Sequence, residues 1–376
     1  MATEFRLPTL PPVDRYAFAG SEDVMTPALL IYPEIVDSNI RETIALLDNS
    51  PDRWRPHVKT AKLGFVMRRM IDHGVRAFKC STTLELLTIC EAGASDVLLA
   101  YPVVGPAARR VREIAATYPN VRISTLVDSL LQAESWAGTQ IGAFIDVNPG
   151  MDRTGIPQAH GDDISSLAAN LARLGVSFRG LHYYDGHISD PDLAERCKLA
   201  HAGYDWLIEM VDRLGKQGIV VEEVITAGTP AFPCTVSYRG FRDHAFIHRA
   251  SPGTAVYNDC SSLTSLPSEY NYQPAAIVMT RVVSAPTDSI VTCDAGHKTV
   301  SADAGFPTCA VVGYPNLAPL KPSEEHLPIE AGASSARPAI GDALFLVPRH
   351  ICPTVNNFDD AVIISDGRIA GVESVT

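Results

Sequence analysis

The feature that most constrains the fold of this chain is an alternation of short apolar runs with amphipathic stretches between residues 28 and 259. The runs have the length of strands, and the stretches have helical periodicity. Strands are predicted at 28–32, 55–59, 76–80, 96–101, 121–127, 142–148, 178–184, 221–227 and 253–259. Helices are predicted at 36–49, 63–73, 83–92, 106–117, 128–137, 162–174 and 192–217. About eight such units over ~230 residues favour a (β/α)8 TIM barrel over an open sheet in an α/β protein.

The pattern changes after about residue 260. Four apolar segments alternate there without helices between them, at 273–286, 289–296, 342–349 and 359–374. The last contains Asp366-Gly367, a dipeptide that is typical of a tight hairpin turn. We therefore expect two domains: the barrel over residues 36–259, and a β domain made of residues 1–35 and 260–376.

Charge and motifs exclude several classes of protein. Lys plus Arg is 31 and Asp plus Glu is 43, which gives a formal net charge of −12. Nucleic acids and anionic membrane surfaces require clustered basic residues, so neither is an expected partner. The chain has no GxGxxG after its first strand and no GxxxxGK[ST], which removes the main support for the two common nucleotide-binding folds.

Cysteine usage and the lack of targeting signals predict a cytoplasmic protein. No apolar run is long enough to span a bilayer, and the first residues lack the pattern of a secretory signal. The eight cysteines are scattered, with no CxxC pair. In a chain of this size that pattern indicates reduced, mostly buried thiols.

Three basic residues alternate in the predicted strand at 55–59, where Arg55, His57 and Lys59 share one face. A lysine at the carboxyl end of a barrel strand, beside another cationic group, can form a Schiff base. A strand end whose basic residues pair with surface carboxylates would give the same pattern.

Two further segments follow predicted strands. In residues 146–155, Gly150 and Gly155 flank a turn that carries Arg153, which suits contact with an anion or a phenolate. The turn could equally carry a surface ion pair. In the segment 182–187, Tyr184 could stack on a planar ligand or hydrogen-bond it, or pack in the barrel core.

Gly-Thr pairs occur in two loops near the end of the predicted barrel, as Gly228-Thr229 and Gly253-Thr254. Barrel enzymes often bind phosphate in the loops after their last strands, through backbone N–H groups and hydroxyls. One pair alone is a weak signal, and two at late strand ends carry more weight.

His350 and Cys352 are separated by one residue, so in an extended segment both side chains point the same way. Imidazole and thiolate are ligands of zinc. Two protein ligands would leave coordination positions open, as in a catalytic metal site. A structural pair with a buried cysteine is the alternative.

Together these segments resemble the D-threonine aldolase and D-serine dehydratase family, pyridoxal-phosphate enzymes of fold type III that are built like alanine racemase. The resemblance covers nearly the whole chain. It depends on PHVKT, GMDRTG, LHYYDG, AGTP, SPGT, DAGHK and HICPTVN, which occur in the family's order. One departure is that the family usually reads HVKTHK, whereas Ala61 replaces the second histidine here.

The resemblance implies that Lys59, His350 and Cys352 are catalytic. Lys59 would carry the Schiff base with pyridoxal 5′-phosphate, and the other two would hold a divalent metal, with Zn²⁺ favoured over Mn²⁺ or Mg²⁺ because the thiolate is soft. Arg153 would lie near the cofactor ring and its phenolic oxygen, and Tyr184 near the ring or its nitrogen. The remaining cofactor contacts would be His57, Gly228, Thr229, Gly253 and Thr254.

A metal beside the cofactor assists either cleavage or dehydration of a β-hydroxy amino acid, so it does not identify the bond that breaks. Cys352 is typical of the dehydratases, which give a 2-oxo acid and ammonia from D-serine or D-threo-3-hydroxyaspartate. The flanking PTVN is typical of the aldolases, and we lean to D-threonine aldolase-like cleavage to glycine and an aldehyde. A racemase would need no metal. The resemblance also suggests a homodimer.

Overall fold

The structure is a computed structural model that describes residues 5–332 and 337–376. The chain divides into two units. The β unit comprises the described residues of Met1–Glu42, Thr60–Val66 and Thr254–Thr376, and the α/β unit comprises Thr43–Lys59 and Met67–Gly253. Residues 1–4 and 333–336 of the expected β domain lie outside the described residues. The domain boundaries at 35/36 and 259/260 stay a prediction, because compactness does not test which parts fold independently.

The strands of the described chain are, in order, β1 (Ala28–Ile31), β2 (Ala77–Cys80), β3 (Asp96–Pro102), β4 (Arg122–Val127), β5 (Gly142–Asn148), β6 (Ile156–Pro157), β7 (Phe178–Tyr183), β8 (Glu223–Thr226), β9 (Ile247–Ala250), β10 (Ala276–Ser284), β11 (Ile290–Cys293), β12 (Cys309–Val311), β13 (Ala318–Pro319), β14 (Leu327–Glu330), β15 (Ala343–Pro348), β16 (Asp360–Ser365) and β17 (Arg368–Ser374).

The α-helices are α1 (Pro33–Leu46), α2 (Gly64–Asp72), α3 (Thr83–Glu91), α4 (Gly105–Thr117), α5 (Leu130–Glu134), α6 (Gly161–Arg173), α7 (Leu193–Lys216), α8 (Phe232–Ser237), α9 (Cys260–Ser265) and α10 (Ile351–Val355). Short 3₁₀ turns lie at Val13–Arg15, Ser21–Asp23, Pro51–Arg53, Gly240–Asp243 and Thr254–Val256. In the part of the chain that the structure describes, no helix is long and apolar enough to cross a membrane.

The α/β unit is built on a curled sheet of parallel strands in the order β2-β3-β4-β5-β7-β8-β9, with β6 added to β5. Each of the helices α3 to α8 connects two successive strands of this sheet, as parallel pairing requires. Residues 54–58 hydrogen-bond both edge strands: Trp54 bridges Ala250 of β9, and His57 bridges Lys79 of β2. The predicted α/β class is confirmed, and residues 55–59 make isolated bridges where a regular strand was expected.

Side chains inside the curled sheet form layers along the strands, because every second residue points inward. Asp96, Ser124 and Glu223 lie near the amino ends of their strands and bind arginines. The next layer is one apolar cluster, made by Leu98, Leu126, Phe144 and Ile225. Polar residues follow towards the carboxyl ends, where parallel barrels place their sites.

The β unit is a second sheet, in the order β13-β14-β11-β10-β1-β16-β17, with β15 paired to β10 and β12. Its core includes Val291, Leu327 and Leu346, none of which is exposed. Asp366 and Gly367 join β16 to β17 with φ of 50° and 67°. Two successive positive φ values are those of the tight hairpin turn that the sequence predicts, so this prediction is confirmed.

The prediction of a strand at 253–259 is wrong. Residues 253–259 form a 3₁₀ turn at Thr254–Val256, followed by Asp259, which caps α9 by accepting a hydrogen bond from the Ser262 N–H. The last strand of the α/β unit is β9, which the sequence analysis missed. His248 and Arg249 interrupt the apolar character of β9, and a buried 3₁₀ turn has no local pattern that separates it from a strand.

Candidate active site

Lys59 follows the segment that connects the edge strands of the α/β unit. The Lys79 N–H donates to the Pro56 carbonyl, and the Val58 N–H donates to the Lys79 carbonyl, each at 2.8 Å. The Lys59 N–H then donates to Nδ1 of His57 at 3.3 Å. Both side chains are half-buried. The backbone therefore holds the predicted Schiff-base lysine at a fixed place beside His57.

His57 lies in a strongly basic environment. Burial lowers its pKa well below the usual value, and the charges of Lys59, Lys79, His182 and Arg153 act in the same direction. The imidazole is therefore neutral at neutral pH. These five residues form one cluster, which we call the basic chamber, and its surplus of positive charge suits a phosphorylated ligand.

Arg153 is carried by a loop whose backbone is fixed by three hydrogen bonds to two side chains. Asn148 Oδ1 accepts the N–H groups of Gly150 and Asp152, at 2.9 and 3.0 Å. Asp128 accepts the Gly155 N–H at 3.2 Å. The loop thus presents an exposed guanidinium from a defined backbone.

Tyr184 lies under that guanidinium. The Cζ atom of Arg153 is 4.9 Å from the centre of the Tyr184 ring, within the range of a cation–π contact. Gly228 packs against the same ring, because a Cβ built there would lie 2.9 Å from Cε2 of Tyr184. Asp185 accepts the Gly228 N–H at 3.3 Å and the Tyr204 hydroxyl at 2.6 Å, which ties the two loops together.

The loop geometry fits a phosphate group. Within the described residues, the Thr229 hydroxyl is buried without a hydrogen-bond partner, which is costly unless a ligand supplies one. At Gly253 a Cβ would lie 2.6 Å from the His57 carbonyl oxygen, so only glycine allows this approach. Thr254 belongs to the β unit, where its hydroxyl lies 3.4 Å from Sγ of Cys352.

Lys79 and His182 were missed by the sequence analysis. Lys79 is 2% exposed, and its Nζ lies 3.1 Å from Nε2 of His182, whose Nδ1 lies 2.7 Å from Asp146. The available signal was weak: Lys79 is one charged residue in the otherwise apolar strand β2. Nothing in the local sequence shows that β2 faces β7 across the inside of the sheet.

Arg55 has a structural role that the alternating pattern did not reveal. Its guanidinium donates to both carboxylate oxygens of Glu223, at 2.7 and 2.8 Å, and to Asp96 at 3.0 Å. The side chain is not exposed. Its charge is neutralised in the layer at the amino ends of the strands. Arg55 therefore does not add to the basic chamber, although the predicted strand at 55–59 placed it on one face with His57 and Lys59.

His350 and Cys352 lie in the β unit, but not on an extended segment as predicted. His350 precedes α10, and Cys352 lies in its first turn. The charges of the two side chains act on each other, and Asp303 Oδ2 lies 2.6 Å from Nδ1 of His350. Burial opposes both charged forms. The contact with His350 nevertheless lowers the pKa of Cys352, and Cys352 and Asp303 raise the pKa of His350 to about 9.

This pair fits a divalent metal with open coordination positions, because the lowered pKa of Cys352 favours the thiolate that a metal binds. The Thr60 hydroxyl also lies 3.0 Å from its sulfur. Among residues 5–332 and 337–376, no group of three or more His, Cys, Asp or Glu side chains is arranged to hold an ion. The metal therefore stays a prediction based on two ligands.

The ten predicted site residues divide between the two units. In the α/β unit they are His57, Lys59, Arg153, Tyr184, Gly228, Thr229 and Gly253. In the β unit they are Thr254, His350 and Cys352. Their roles with a cofactor or a metal stay predictions.

Two family models match the chain. The alanine racemase N-terminal domain matches residues 32–260, and the putative serine dehydratase domain matches residues 275–364. The first match covers more than half of the chain.

Known proteins match over nearly the whole length. A D-threonine aldolase from Arthrobacter sp is 27% identical over 378 residues, covering 94% of this chain and 92% of the relative. The crystal structure of D-threonine aldolase from Filomicrobium marinum superposes with a TM-score of 0.85 at 26% identity, covering 96% of this chain and 97% of that one. The structure of D-threo-3-hydroxyaspartate dehydratase from Delftia sp. HT23 superposes with a TM-score of 0.82 at 21% identity, covering 94% of this chain and 98% of that one. This similarity shows the shared fold.

Proposed function

Because this chain belongs to the alanine racemase N-terminal domain family, we propose that it is a pyridoxal-phosphate- and divalent-metal-dependent lyase acting on D-β-hydroxy-α-amino acids. The lead reaction is retro-aldol cleavage of a D-threonine-like substrate to glycine and an aldehyde. The observation that carries the proposal is the basic chamber, in which half-buried Lys59 is held beside His57. The similarity to the Arthrobacter D-threonine aldolase supports the lead reaction.

The residues of the α/β unit would bind and orient the cofactor. Bound pyridoxal phosphate supplies an electron sink for negative charge that develops at the substrate Cα. Lys59 would hold the cofactor covalently, and Arg153 would face its phenolic oxygen. The buried Thr229 hydroxyl would donate to its phosphate, and Gly228 would let that loop pack close to the Tyr184 ring. Neutral His57 would keep the chamber polar without adding a competing charge.

His350 and Cys352 would hold the divalent metal. Zn²⁺ is favoured because a thiolate is a soft ligand, with Mn²⁺ and Mg²⁺ as alternatives. A metal at this pair would lower the pKa of the substrate β-hydroxyl, which retro-aldol cleavage must deprotonate. Asp303 would hold the His350 ring in one tautomer, with Nδ1 donating to the carboxylate.

The alternative function is dehydration of D-serine or D-threo-3-hydroxyaspartate to a 2-oxo acid and ammonia. Cys352 favours dehydration, because the family resemblance associates a cysteine at this position with the dehydratases. An amino-acid racemase has less support, since the contact between His350 and Cys352 would then have no catalytic use.

Product analysis separates these functions. The purified protein is incubated with D-threonine and with D-serine, each with and without EDTA. Glycine plus acetaldehyde identifies the aldolase, and ammonia plus a 2-oxo acid identifies the dehydratase. The metal assignment fails if activity is unchanged after complete removal of the metal.

A substitution tests the cofactor lysine. Lys59→Met should abolish both the visible absorbance of bound cofactor and turnover. Lys62→Met is the matched control, because Lys62 lies three residues further along and donates to the carbonyl of Thr376 at 2.6 Å. Retained turnover in Lys59→Met would show that Lys59 is not the Schiff-base lysine.

We also propose a cytoplasmic homodimer. All eight cysteines are free thiols, which supports a reducing compartment. Exposed apolar side chains at one edge of the α/β unit support association, and their test is given in the Discussion.

A further inference from the structure

Asp185 joins two loops of the candidate site through its carboxylate, and the proposed reaction leaves it without a role. It follows Tyr184 directly, and it is not exposed. Its Oδ1 accepts the Gly228 N–H at 3.3 Å, and its Oδ2 accepts the hydroxyl of Tyr204 on α7 at 2.6 Å. Burial raises the pKa of Asp185, and these two hydrogen bonds oppose the rise. Both oxygens receive a donor, which is the pattern of an ionised carboxylate.

The hydrogen bonds continue from Tyr204 through two threonines to a histidine. The Tyr204 hydroxyl lies 2.8 Å from Oγ1 of Thr235 on α8, which lies 3.1 Å from Oγ1 of Thr226 on β8. The Thr226 hydroxyl lies 2.8 Å from Nε2 of His248 on β9. All four residues are at most 6% exposed. We call Tyr204, Thr235, Thr226 and His248 the hydroxyl chain.

The direction of the hydroxyl chain follows from the carboxylate at its end. A hydroxyl has one hydrogen to donate, and Tyr204 donates its own to Asp185. The Tyr204 oxygen then accepts from Thr235, and the Thr235 oxygen accepts from Thr226. The Thr226 oxygen is left to accept from Nε2 of His248. We therefore expect His248 to be a neutral ring with its hydrogen on Nε2.

The surroundings of His248 favour that form. Burial lowers the pKa of His248 to about 3, so the ring is neutral at neutral pH. In the described part of the chain, its Nδ1 is buried without a hydrogen-bond partner, so no acceptor holds a hydrogen there. The ring stacks on Phe241 with the ring centres 4.0 Å apart, which fixes its plane.

The carboxylate of Asp185 determines which donor the neighbouring loop can offer to a ligand. The Gly228 N–H is used by Asp185, so it is not available to a phosphate. The next residue, Thr229, has a buried hydroxyl that lacks a hydrogen-bond partner among the described residues. A ligand oxygen would supply that partner. Asp185 thus holds the backbone beside the hydroxyl that we assign to the phosphate.

On the basis of the proposed function, we propose that Asp185 is a positioning residue for the cofactor phosphate. As a carboxylate it anchors Gly228, so that the loop presents the Thr229 hydroxyl to the phosphate. The hydroxyl chain supports this role, because its groups donate towards Asp185 and stabilise the charge that accepts the Gly228 N–H.

The test uses the full-length chain stripped of cofactor. Calorimetry measures the binding of pyridoxal phosphate and of pyridoxal, which lacks the phosphate, and the ratio of the two affinities gives the phosphate preference. Magic-angle-spinning NMR of protein labelled at its histidine nitrogens gives the tautomer of His248, whose signal is identified by its loss in His248→Gln. The variants are Asp185→Ala and Asp185→Asn, with exposed Asp212→Ala as the control.

We expect the unsubstituted protein to carry the His248 hydrogen on Nε2. Asp185→Ala should lower the phosphate preference about tenfold, because the loop loses a hydrogen bond to a charged group. Asp185→Asn should keep the preference within about threefold, since its oxygen can still accept the Gly228 N–H. The asparagine NH2 group must then donate to Tyr204, which reverses the hydroxyl chain and moves the His248 hydrogen to Nδ1. Asp212→Ala should change neither quantity.

Equal losses of affinity for pyridoxal phosphate and for pyridoxal in Asp185→Ala would overturn the proposal, because they would indicate a purely structural role. A His248 hydrogen on Nδ1 in the unsubstituted protein, or an unchanged tautomer in Asp185→Asn, would overturn it as well. Thermal unfolding checks each variant. If Asp185→Ala does not fold, Asp185→Ser replaces it with the same expected result, because a serine side chain is too short to reach Gly228.

Failure of the proposed function gives a different result. In that case the unsubstituted chain binds neither pyridoxal phosphate nor pyridoxal. The tautomer of His248, in the unsubstituted chain and in Asp185→Asn, still decides whether Asp185 is the carboxylate end of the hydroxyl chain.

Discussion

At the scale of single residues, Asp303 determines the direction of the His350 ring. Its Oδ2 lies 2.6 Å from Nδ1 of His350, and its Oδ1 accepts the Ser301 hydroxyl at 2.9 Å. Carboxylates that orient a ligating histidine typically contribute 10–100-fold in metal affinity. We therefore expect Asp303→Asn to weaken Zn²⁺ binding by about that factor, measured by competition with a chelator.

Exposed Asp359 supplies the control for that measurement. Asp359→Asn removes the same charge and should leave Zn²⁺ affinity within about twofold, because charges exposed to solvent interact weakly with a distant ion. Equal affinities for Asp303→Asn and the unsubstituted protein would mean that the carboxylate does not orient a metal ligand.

Individual residues also show which parts of the candidate site can be predicted from the sequence. Lys59 and Arg153 lie in short sequence motifs, so both could be predicted as site residues. Lys79 and His182 are 103 residues apart, and they meet only because the sheet curls. Arg55 alternates with His57 and Lys59 as a site residue would, but its carboxylate partners come from two other strands. A local pattern carries no information about contacts across the inside of a sheet.

At the scale of elements, buried ion pairs join the first segment of the α/β unit to its strands. Arg55 binds Glu223 of β8 through two hydrogen bonds, and Arg249 of β9 binds the same carboxylate. Glu223→Ala leaves the buried guanidinium of Arg55 and the largely buried one of Arg249 without this partner. Such a loss typically costs about 3–5 kcal/mol in the free energy of unfolding.

The neighbouring residue Glu222 is a matched control, because its side chain is 39% exposed and it also binds arginines. Glu222→Ala should cost no more than about 1 kcal/mol. Urea denaturation followed by tryptophan fluorescence measures both variants. The signal reports the α/β unit alone, because Trp54, Trp136 and Trp206 all belong to it. Equal losses for the two variants would contradict a special role for Glu223.

Asp96 makes the stability of this layer dependent on pH. Burial alone would raise its pKa, but Arg55 and Arg179 hold it well below its usual range. A carboxyl group whose folded pKa is depressed adds stability above its unfolded pKa of about 3.9, and that stability is lost as the pH falls further. Asp96→Asn should therefore be less stable than the unsubstituted protein at pH 7. The difference should shrink below about pH 4 in urea denaturation, and a constant difference would contradict the assignment.

Helix ends that carry local capping signals could be predicted closely, for a physical reason. The predicted helix at 83–92 matches α3, because Thr82 accepts the Glu85 N–H at 3.0 Å and Gly93 follows with a φ of 98°. Capping signals are local, so the sequence contains them. Strands depend on partners far along the chain: β1 pairs with β10 and β16.

At the scale of the whole molecule, exposed apolar side chains follow three neighbouring strands of the α/β unit. We call this set the apolar rim. It lies at the carboxyl ends of β2, β3 and β4 and consists of Leu84, Tyr101, Val104, Leu130 and Leu131, which are 44–71% exposed. Grouped apolar exposure of this kind marks association surfaces, and the rim is the surface on which we place the proposed dimer contact.

Leu131→Asp places a charge in the most exposed position of the rim, where the side chain is 71% exposed. If the rim is buried between two copies of the chain, this charge should weaken dimerisation by about 2 kcal/mol, or roughly thirtyfold in the dissociation constant. Val220→Asp is the control: Val220 is 75% exposed but precedes β8, at the amino ends of the strands. Sedimentation velocity over a range of concentrations measures the change. An unsubstituted chain that stays monomeric, or equal dissociation constants for the two variants, would exclude the rim as a dimer contact.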